Sequence, residues 1–430
     1  MTDCFVHASD LHLDARLGDL GPIEPSDRQR LATLAAEAWD QLVQTTIDRE
    51  ASFLVLAGDI FHSGAAQFGV QRVFHEGLER LGQVGPNGIK VFVCHGNHDP
   101  LADDFTRIGQ PLDNVVVFQS GTPQTHTVTL NSGSEAHVSG LSFSKTHEPD
   151  NLAVRFKDLN PGPGPHVAVL HADLGGNKDH LPYAPCSLDD LKESFVDYWA
   201  LGHIHLRSVT KIGPDRYAAY CGNLQGRSLK TSERHPKGVL VVPIDKDHIG
   251  EPEFVACDKV RFTESEVEVE PDDEVWNVLD RLHEAAASAR ASAEDRAVVL
   301  SVVLTGHHPD PETIRRIVEN EDGILDDLPT HLNDGGLAKI QSQVKRHLGS
   351  RGLPSGGFGA QALESLRSDD TRSVLEELVS AMPSAIGPSL LPADEGGRRP
   401  THAELVDELF EDVRSSAEDL LLKYLVDGDA

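Results

Sequence analysis

Along roughly the first 245 residues of the chain, apolar runs typical of strands alternate with apolar positions at helical spacing. Nine short runs rich in β-branched and aromatic residues predict strands, and two longer stretches at residues 28–49 and 69–81 carry apolar residues at helical spacing. The predicted strands cover residues 4–7, 53–57, 90–94, 115–118, 138–143, 167–170, 198–201, 217–220 and 239–243. This alternation predicts an α/β layered domain, whose functional residues collect on loops at the carboxyl ends of strands.

The pattern changes after a proline-flanked stretch near residues 243–252. Residues 260–320 predict, in order, an edge strand, a helix, a second strand and a further helix, and Gly, Ser and polar residues then dominate. Near the C-terminus, Thr401 and Glu404 form a capping-box pattern ahead of apolar residues at helical spacing. That helix would either pack on its own domain or dock on a partner. We expect four regions, at 1–248 (α/β), 249–330 (small α+β), 331–398 (linker-rich with a short helix) and 399–430 (C-terminal helix).

Length and composition place the chain among soluble globular proteins. At 430 residues it is too long for one ordinary core, and 39% of its residues are hydrophobic and 25% charged. The N-terminus lacks the basic start of a secretory signal and no apolar stretch is long enough to span a bilayer, so we expect a cytoplasmic protein with no membrane segment. Five widely spaced cysteines without a CxxC pair indicate small buried residues in a reducing compartment.

The formal net charge of −31 bears on the substrate. A chain this acidic repels nucleic acid at long range, which argues against a DNA-binding role. Bound divalent cations reverse the local field at a site, and a partner subunit can supply a basic surface. The charge also has a neutral interpretation, because an acidic surface serves solubility.

Five short segments each end a predicted strand with residue types that bind metals: ASDLHLD, LAGDIFH, CHGNHDP, LHADL and LGHIH. Their oxygen and imidazole side chains suit borderline divalent ions such as Mn²⁺, Fe²⁺ or Zn²⁺. A single segment of this kind could be a capped strand end or a structural histidine, whereas five in order indicate one dinuclear site. The candidate ligands are Asp10, His12, Asp59, Asn97, His171, His203 and His205.

Spacing and residue type suggest individual roles. Asp10 and His12 are two positions apart, so on an extended strand end both would face the same way. Gly58 permits a tight turn that exposes Asp59, which we expect to bridge the two ions.

The loop histidines suggest proton transfer and phosphate contact. His98 beside Asn97 is placed to protonate a leaving alkoxide, and Asp99 could orient that imidazole. His62 would either touch a bound phosphate or be a solvated loop histidine.

The ordered segments resemble the calcineurin-like metallophosphoesterase superfamily over roughly residues 5–205, and within it the SbcD/YhaO-type DNA-repair exonucleases. The closer similarity lies in YAPCSLDDL, DYWALGHIHLRSV and CGNLQGR followed by PKG, and in the opening DLHLDARLGDL. Cys221 replaces the usual proline of this subgroup before Gly222, which should affect packing more than chemistry. The region at about 255–330 resembles the capping domain of these nucleases.

The resemblance implies a layered metallophosphoesterase β-sandwich flanked by helices, with a small α+β capping domain and a C-terminal helical region. It implies two divalent ions, Mn²⁺ first and Fe²⁺ or Zn²⁺ as alternatives, with His98 as the proton donor to the leaving oxygen and His62 on the phosphate. The first ion would be held by Asp10, His12, Asp59 and His205, and the second by Asp59, Asn97, His171 and His203.

The function that the resemblance implies is a metal-dependent DNA exonuclease or endonuclease subunit that hydrolyses phosphodiester bonds by a hydroxide held between the ions. Its implied partners are DNA, an SMC-like ABC-type ATPase and a second copy of the chain. A phosphomonoesterase or cyclic-nucleotide phosphodiesterase acting on small molecules is the alternative, and the acidic composition favours it. A non-catalytic scaffold for the ATPase is a second alternative.

Overall fold

The structure is a computed structural model that describes residues 3–15, 33–62, 66–101, 112–175, 183–320 and 323–346, with the isolated residues 26, 365, 373 and 410. Its strands are β1 (Asp3–Ala8), β2 (Phe53–Ala57), β3 (Lys90–Cys94), β4 (Val115–Val117), β5 (Gln124–Thr129), β6 (Glu135–Leu141), β7 (His166–His171), β8 (Tyr198–Gly202), β9 (Ser208–Gly213), β10 (Arg216–Tyr220), β11 (Gly238–Ile244), β12 (Glu253–Ala256), β13 (Val260–Val269), β14 (Ala297–His308), β15 (Gly336–Ser342) and β16 (Lys345–Arg346). Its α-helices are α1 (Leu34–Asp48), α2 (Phe68–Gly82), α3 (Leu188–Lys192), α4 (Val275–Ser292) and α5 (Pro311–Val318).

Two six-stranded sheets form a sandwich, with the strand orders β12-β11-β1-β2-β3-β4 and β5-β6-β7-β8-β10-β9. Successive side chains of a strand point to opposite faces, and each sheet therefore contributes to two apolar layers. Phe5 of β1 lies in the core shared by both sheets, together with Val169 of β7, whereas its neighbour Val6 packs with Trp39 of α1. The predicted layered α/β sandwich is confirmed.

Parallel pairing aligns the strand ends that carry the candidate ligands. In the first sheet β2 pairs in parallel with β1 and β3, and in the second sheet β7 pairs in parallel with β6 and β8. The carboxyl ends of β1, β2 and β3 therefore lie along one edge, and those of β7 and β8 along an edge of the other sheet. The loops at these edges are the five segments singled out in the sequence.

All nine predicted strands of this region are present, and three further strands were not predicted. Two of these, β5 and β9, are the outer strands of the second sheet, and much of their surface is exposed. An edge strand with alternating polar residues lacks the continuous apolar run that reveals a buried strand. The third, β12, is likewise an edge strand.

Beyond the sandwich, the predicted order of edge strand, helix, strand and helix is found as β13, α4, β14 and α5. The region from residue 331 was expected to be rich in linker, but it contains β15, a strand of a third sheet with the order β13-β14-β15. Only Leu337 and Ala338 are buried apolar residues there, too few to stand out among glycines and polar residues. The predicted C-terminal helix at 399–430 lies outside the described residues, apart from Phe410.

The chain divides into two compact units. The first comprises Met1–Val267, Leu279–Val303 and Gly323–Gln341 and contains both sheets of the sandwich, and the second comprises Glu268–Val278, Leu304–Asp322 and Ser342–Ala430. The predicted boundaries at 248, 330 and 398 stay predictions. In the described part of the chain, no helix has both the length and the apolar character that crossing a membrane requires.

Candidate dinuclear metal centre

The loops after five strands bring the candidate ligands into one cluster within the first unit. Asp10 and His12 follow β1, Asp59 follows β2 and Asn97 follows β3, while the second sheet contributes the end of β7 and the loop after β8. Five of the seven candidate ligands are buried, and His203 and His205 are partly exposed. The ligand atoms of two groups each lie within 4.8 Å of one another: Asp10, His12 and His205, and Asp10, Asp59 and His171.

Two imidazoles meet in the first group. His12 Nε2 lies 3.2 Å from His205 Nε2, which in turn lies 3.8 Å from Asp10 Oδ1. His205 donates its Nδ1 proton to Glu233 at 2.8 Å, so its Nε2 carries a lone pair. Acceptor atoms that face one another in this way are suited to a shared cation.

The second group has the same character. His171 donates from Nδ1 to the Ala57 carbonyl at 3.0 Å, and its Nε2 lone pair then faces Asn97 Oδ1 at 3.0 Å and Asp59 Oδ2 at 3.5 Å. Three potential ligand atoms therefore converge there. The same Asp59 oxygen lies 3.8 Å from His12 Nε2, between the two groups, as a bridging ligand requires.

His203 belongs to neither group. Its ring lies 5.3 Å from that of His171, and its amide donates to both carboxylate oxygens of Asp10 at 3.1 Å. Burial, with a contribution from His171, lowers the pKa of His203 to about 3, so the imidazole is neutral and available as a ligand. Its part in the second set stays a prediction.

The backbone at the site corrects one step of the sequence argument. Asp10 and His12 do not lie on an extended strand end, because β1 stops at Ala8 and their φ angles are 51° and 44°. Asp59 and His203 are also left-handed, with φ of 53° and 103°. Such conformations are unfavourable for residues other than glycine and occur at functional sites where the surroundings enforce them. At Asp10 and His12 two backbone hydrogen bonds hold this conformation, because the two amides donate to the Gly58 and Asp59 carbonyls at 3.0 Å.

Two glycines leave room for the ligands. A Cβ atom on Gly96 would overlap Asp59 Oδ1, and one on Gly202 would overlap the Ala57 carbonyl oxygen and lie 2.8 Å from His171 Nδ1. The sequence argument recognised only Gly58. Gly96 and Gly202 are therefore required, because a side chain at either position would overlap a ligand or the neighbouring strand.

His62 and His98 stack with ring centroids 4.5 Å apart, and both lie beside His12. His98 donates from Nδ1 to the His62 carbonyl at 2.9 Å, and its Nε2 is therefore the atom left for proton transfer. His12, His62 and His98 form a third cluster whose nitrogens lie within 4.8 Å of one another. His62 and His98 therefore lie together beside His12, and their roles as phosphate contact and proton donor stay predictions.

Asp99 requires a correction. Its carboxylate accepts from the amides of Ile60 at 2.8 Å and Gly96 at 2.9 Å, so it joins the loops after β2 and β3. The His62 carbonyl, rather than Asp99, orients His98. A completely buried carboxylate requires hydrogen-bond donors, and backbone amides of the two loops supply them here.

The electrostatics of the cluster fit a cation. Burial, followed by the nearby carboxylates of Asp99 and Asp10, raises the pKa of Asp59 well above its usual range. Burial and neighbouring positive groups hold the pKa of His12 far below its usual value, so that this imidazole is neutral. Neutral imidazoles and crowded carboxylates are stabilised by divalent ions, and oxygen with nitrogen ligands suits Mn²⁺, Fe²⁺ or Zn²⁺.

The sequence argument missed three functional candidates behind His205. Glu233 accepts its proton, Arg227 lies beside it, and Lys237 donates to its carbonyl at 2.6 Å. They follow β10 in the loop that leads to β11. Arg227 and Lys237 belong to CGNLQGR and PKG, which contributed only to the family resemblance, whereas Glu233 lies between these two segments and had no sequence signal.

Comparison with known proteins agrees with this geometry. A family model described as calcineurin-like phosphoesterase matches residues 5–207. The chain is 29% identical over 306 residues to the uncharacterized metallophosphoesterase YhaO of Bacillus subtilis, an alignment that covers 71% of the chain and 72% of the relative.

Two archaeal proteins are more distantly similar. The DNA double-strand break repair protein Mre11 of Sulfurisphaera tokodaii is 25% identical, with 56% of the chain and 60% of the relative covered. Mre11 of Halobacterium salinarum is 23% identical over 93% of the chain and 98% of the relative.

Proposed function

The chain is a member of the calcineurin-like metallophosphoesterase superfamily, of the SbcD/Mre11 type, and from this premise we propose that it is the DNA nuclease subunit of a repair complex. It is a metal-dependent phosphoesterase, and the superfamily fold binds two divalent ions. The observation that supports DNA as the substrate is the similarity to a DNA double-strand break repair protein along 93% of the chain.

The proposed ligands are the two sets of four that share Asp59. When bound, the ions would supply an activated water and neutralise phosphoryl oxygens. The protein's own contributions are positional. Asp59 lies between the two groups, and Glu233 and the Ala57 carbonyl fix the ring orientations of His205 and His171.

His98 is the proposed proton donor to the leaving oxygen. Its amide donates to Asp59 Oδ1 at 2.9 Å and its Nδ1 to the His62 carbonyl at 2.9 Å, which ties the backbone and the ring to the cluster. A positioned imidazole of this type contributes about 10²- to 10⁴-fold to rate. His62, stacked on His98, would contact the phosphate.

Mn²⁺ is the proposed native ion, with Fe²⁺ and Zn²⁺ as alternatives, because the ligand set mixes carboxylate, amide and imidazole donors. DNA and an SMC-like ABC-type ATPase are the proposed partners, with a homodimer as the proposed assembly. The capping-like region at 249–330 and the helix at 399–430 are the proposed regions for contacts with them.

The net charge of −31 favours a second candidate, a phosphomonoesterase or cyclic-nucleotide phosphodiesterase acting on small molecules. The test is hydrolysis with Mn²⁺ of single- and double-stranded DNA, p-nitrophenyl phosphate and bis(p-nitrophenyl) phosphate. We expect cleavage of DNA and of the bis ester. Cleavage of the monoester alone would contradict the nuclease proposal, and a His98→Gln preparation purified in parallel controls for contaminating nucleases.

A further inference from the structure

Arg227 is a cation beside the candidate metal centre that the sequence argument did not use. Its side chain is 18% exposed, with Nη1 3.3 Å from His62 Nδ1 and Nη2 3.4 Å from His205 Nδ1. His205 Nδ1 already donates its proton to Glu233, so the guanidinium lies against that ring rather than bonded to it. It therefore faces the space that His62 and His98 border.

Glu233 fixes the position of this guanidinium. One carboxylate oxygen accepts from His205 Nδ1 at 2.8 Å and from Arg227 Nη2 at 3.3 Å. The other accepts from the Arg227 amide at 3.0 Å and from Asn223 Nδ2 at 2.8 Å. Four N–H donors therefore converge on one buried carboxylate, which holds the His205 ring and the guanidinium in place.

Arg227 has more N–H donors than Glu233 uses. A guanidinium has five N–H groups in a planar fork that matches phosphate oxygens. Glu233 takes one donor of the fork, while Nε is buried and has no hydrogen-bond partner in the described part of the chain. Among the described residues, the hydrogen-bond partner of Nη1 is the imidazole nitrogen of His62.

A positive charge next to a dinuclear centre needs an explanation. Arg227 repels divalent ions held by His12 and His205, so by itself it opposes the metal-binding function of the cluster. An anion between the guanidinium and the ions removes that conflict, because it attracts both.

We propose that Arg227 binds a phosphoryl oxygen of the substrate, and that Glu233 positions both Arg227 and His205, so that one buried carboxylate couples phosphate binding to metal binding. This inference rests on the proposed phosphoesterase function and adds two residues to it. Arg227 is a catalytic residue in this assignment because it touches the substrate, and Glu233 is a positioning residue.

The coupling makes the two residues separable by calorimetry, with Mn²⁺ and inorganic phosphate as the probes. For Arg227→Gln, we expect Mn²⁺ to bind without phosphate at least as tightly as in the wild type, since a repelling charge is gone. Inorganic phosphate should bind to the Mn²⁺-loaded variant about 10- to 100-fold more weakly, and bis(p-nitrophenyl) phosphate hydrolysis should fall by a similar factor. Arg227→Lys, which keeps the charge but loses the fork, should recover part of the phosphate affinity.

For Glu233→Gln, both Mn²⁺ and phosphate affinity should fall, by about 10- to 100-fold for the metal. Arg234→Gln is the matched control, since Arg234 lies on the same loop but pairs with Glu264, and all three measurements should stay at wild-type values. Circular dichroism melting establishes that each variant is folded before it is compared.

Two results would overturn the inference: an Arg227→Gln variant that loses Mn²⁺ as Glu233→Gln does, or one that keeps wild-type phosphate affinity. Neither readout uses DNA. The nuclease proposal can therefore fail on the DNA panel while the assignment of Arg227 stands, and the assignment can fail while DNA is cleaved.

Discussion

The inner and outer halves of the candidate metal centre are held by different means. The inner half consists of Asp59, Asn97 and His171, with exposures of 2%, 6% and 0%, and main-chain groups fix it: the Ala57 carbonyl orients His171, and the His98 amide holds Asp59. In the outer half, His205 and Arg227 are each 18% exposed at the side chain and depend on Glu233.

This difference separates two tasks. Main-chain anchoring in the core suits ligands that must stay in place whether or not substrate is present. A side-chain network near the surface suits groups that exchange partners as phosphate enters and leaves. Substitutions in the inner half should therefore remove metal and activity together, whereas in the outer half Arg227→Gln should lower activity without removing metal.

Asp59→Asn should have the largest effect. Loss of the bridging carboxylate should remove Mn²⁺ from the purified protein and lower bis(p-nitrophenyl) phosphate hydrolysis by about 10³-fold or more, because several kcal/mol of charge stabilisation is lost. Metal analysis and steady-state rates measure both. Asp40→Asn, at an exposed pair with Arg80, is the control and should change neither. A metal-replete, active Asp59→Asn variant would refute the bridging role.

His98→Gln tests the proton donor proposed beside these two halves. We expect turnover to fall about 10²- to 10⁴-fold while Mn²⁺ content stays at the wild-type level, since His98 is proposed to transfer a proton rather than to bind metal. His248→Gln, at an exposed histidine, serves as the control. If the variant instead loses metal and regains activity when metal is added, His98 is a ligand and not the proton donor.

Gly202→Ala tests the main-chain anchoring of the inner half. The new Cβ would overlap the Ala57 carbonyl oxygen and crowd His171, so we expect the free energy of unfolding to fall by about 1–3 kcal/mol or more. Gly213→Ala is the matched substitution, because its nearest atom is the flexible Arg216 side chain at 3.2 Å. Urea denaturation measures both. Equal stability of the two variants would show that the inner half tolerates movement.

The smallest expected effect concerns His7 of β1, behind the inner half and without a proposed role. Burial lowers its pKa from 6.5 to about 3, because desolvation of the imidazolium outweighs the opposing effects of the Leu201 backbone and the Asp10 carboxylate; the Tyr198 hydroxyl lies 3.0 Å from Nδ1. Between these two pKa values His7 is protonated in the unfolded chain but neutral in the folded protein. The free energy of unfolding should therefore decrease as pH falls from 6.5 towards 3, and His7 should have no effect on it above pH 6.5.

Between pH 7 and pH 5 this histidine should account for about 2 kcal/mol of the lost stability. His7→Gln should reduce the pH dependence of urea unfolding by that amount, whatever its effect at pH 7. His248→Gln, at an exposed histidine, should leave the pH dependence almost unchanged. An identical pH dependence in His7→Gln and wild type would show that His7 is protonated in the fold.

The sequence by itself determined the layered fold and the residues that meet at the site. Buried strands such as β2 and β7 are largely apolar runs; β7 ends in His171 and β2 is followed by Asp59, so local pattern and local chemistry were sufficient. Edge strands β5, β9 and β15 were missed because half-exposed strands carry no such run.

Only the tertiary structure decided how the side chains are held. Adjacency in sequence suggested that Asp99 orients His98, yet the carboxylate is bound by amides from the neighbouring loop. Glu233 meets His205 and Arg227 only because the loop after β10 returns to the end of β8. The pattern of apolar positions around a residue indicates whether that residue is buried. Its hydrogen-bond partner depends on which distant segments the folded sheets bring into contact.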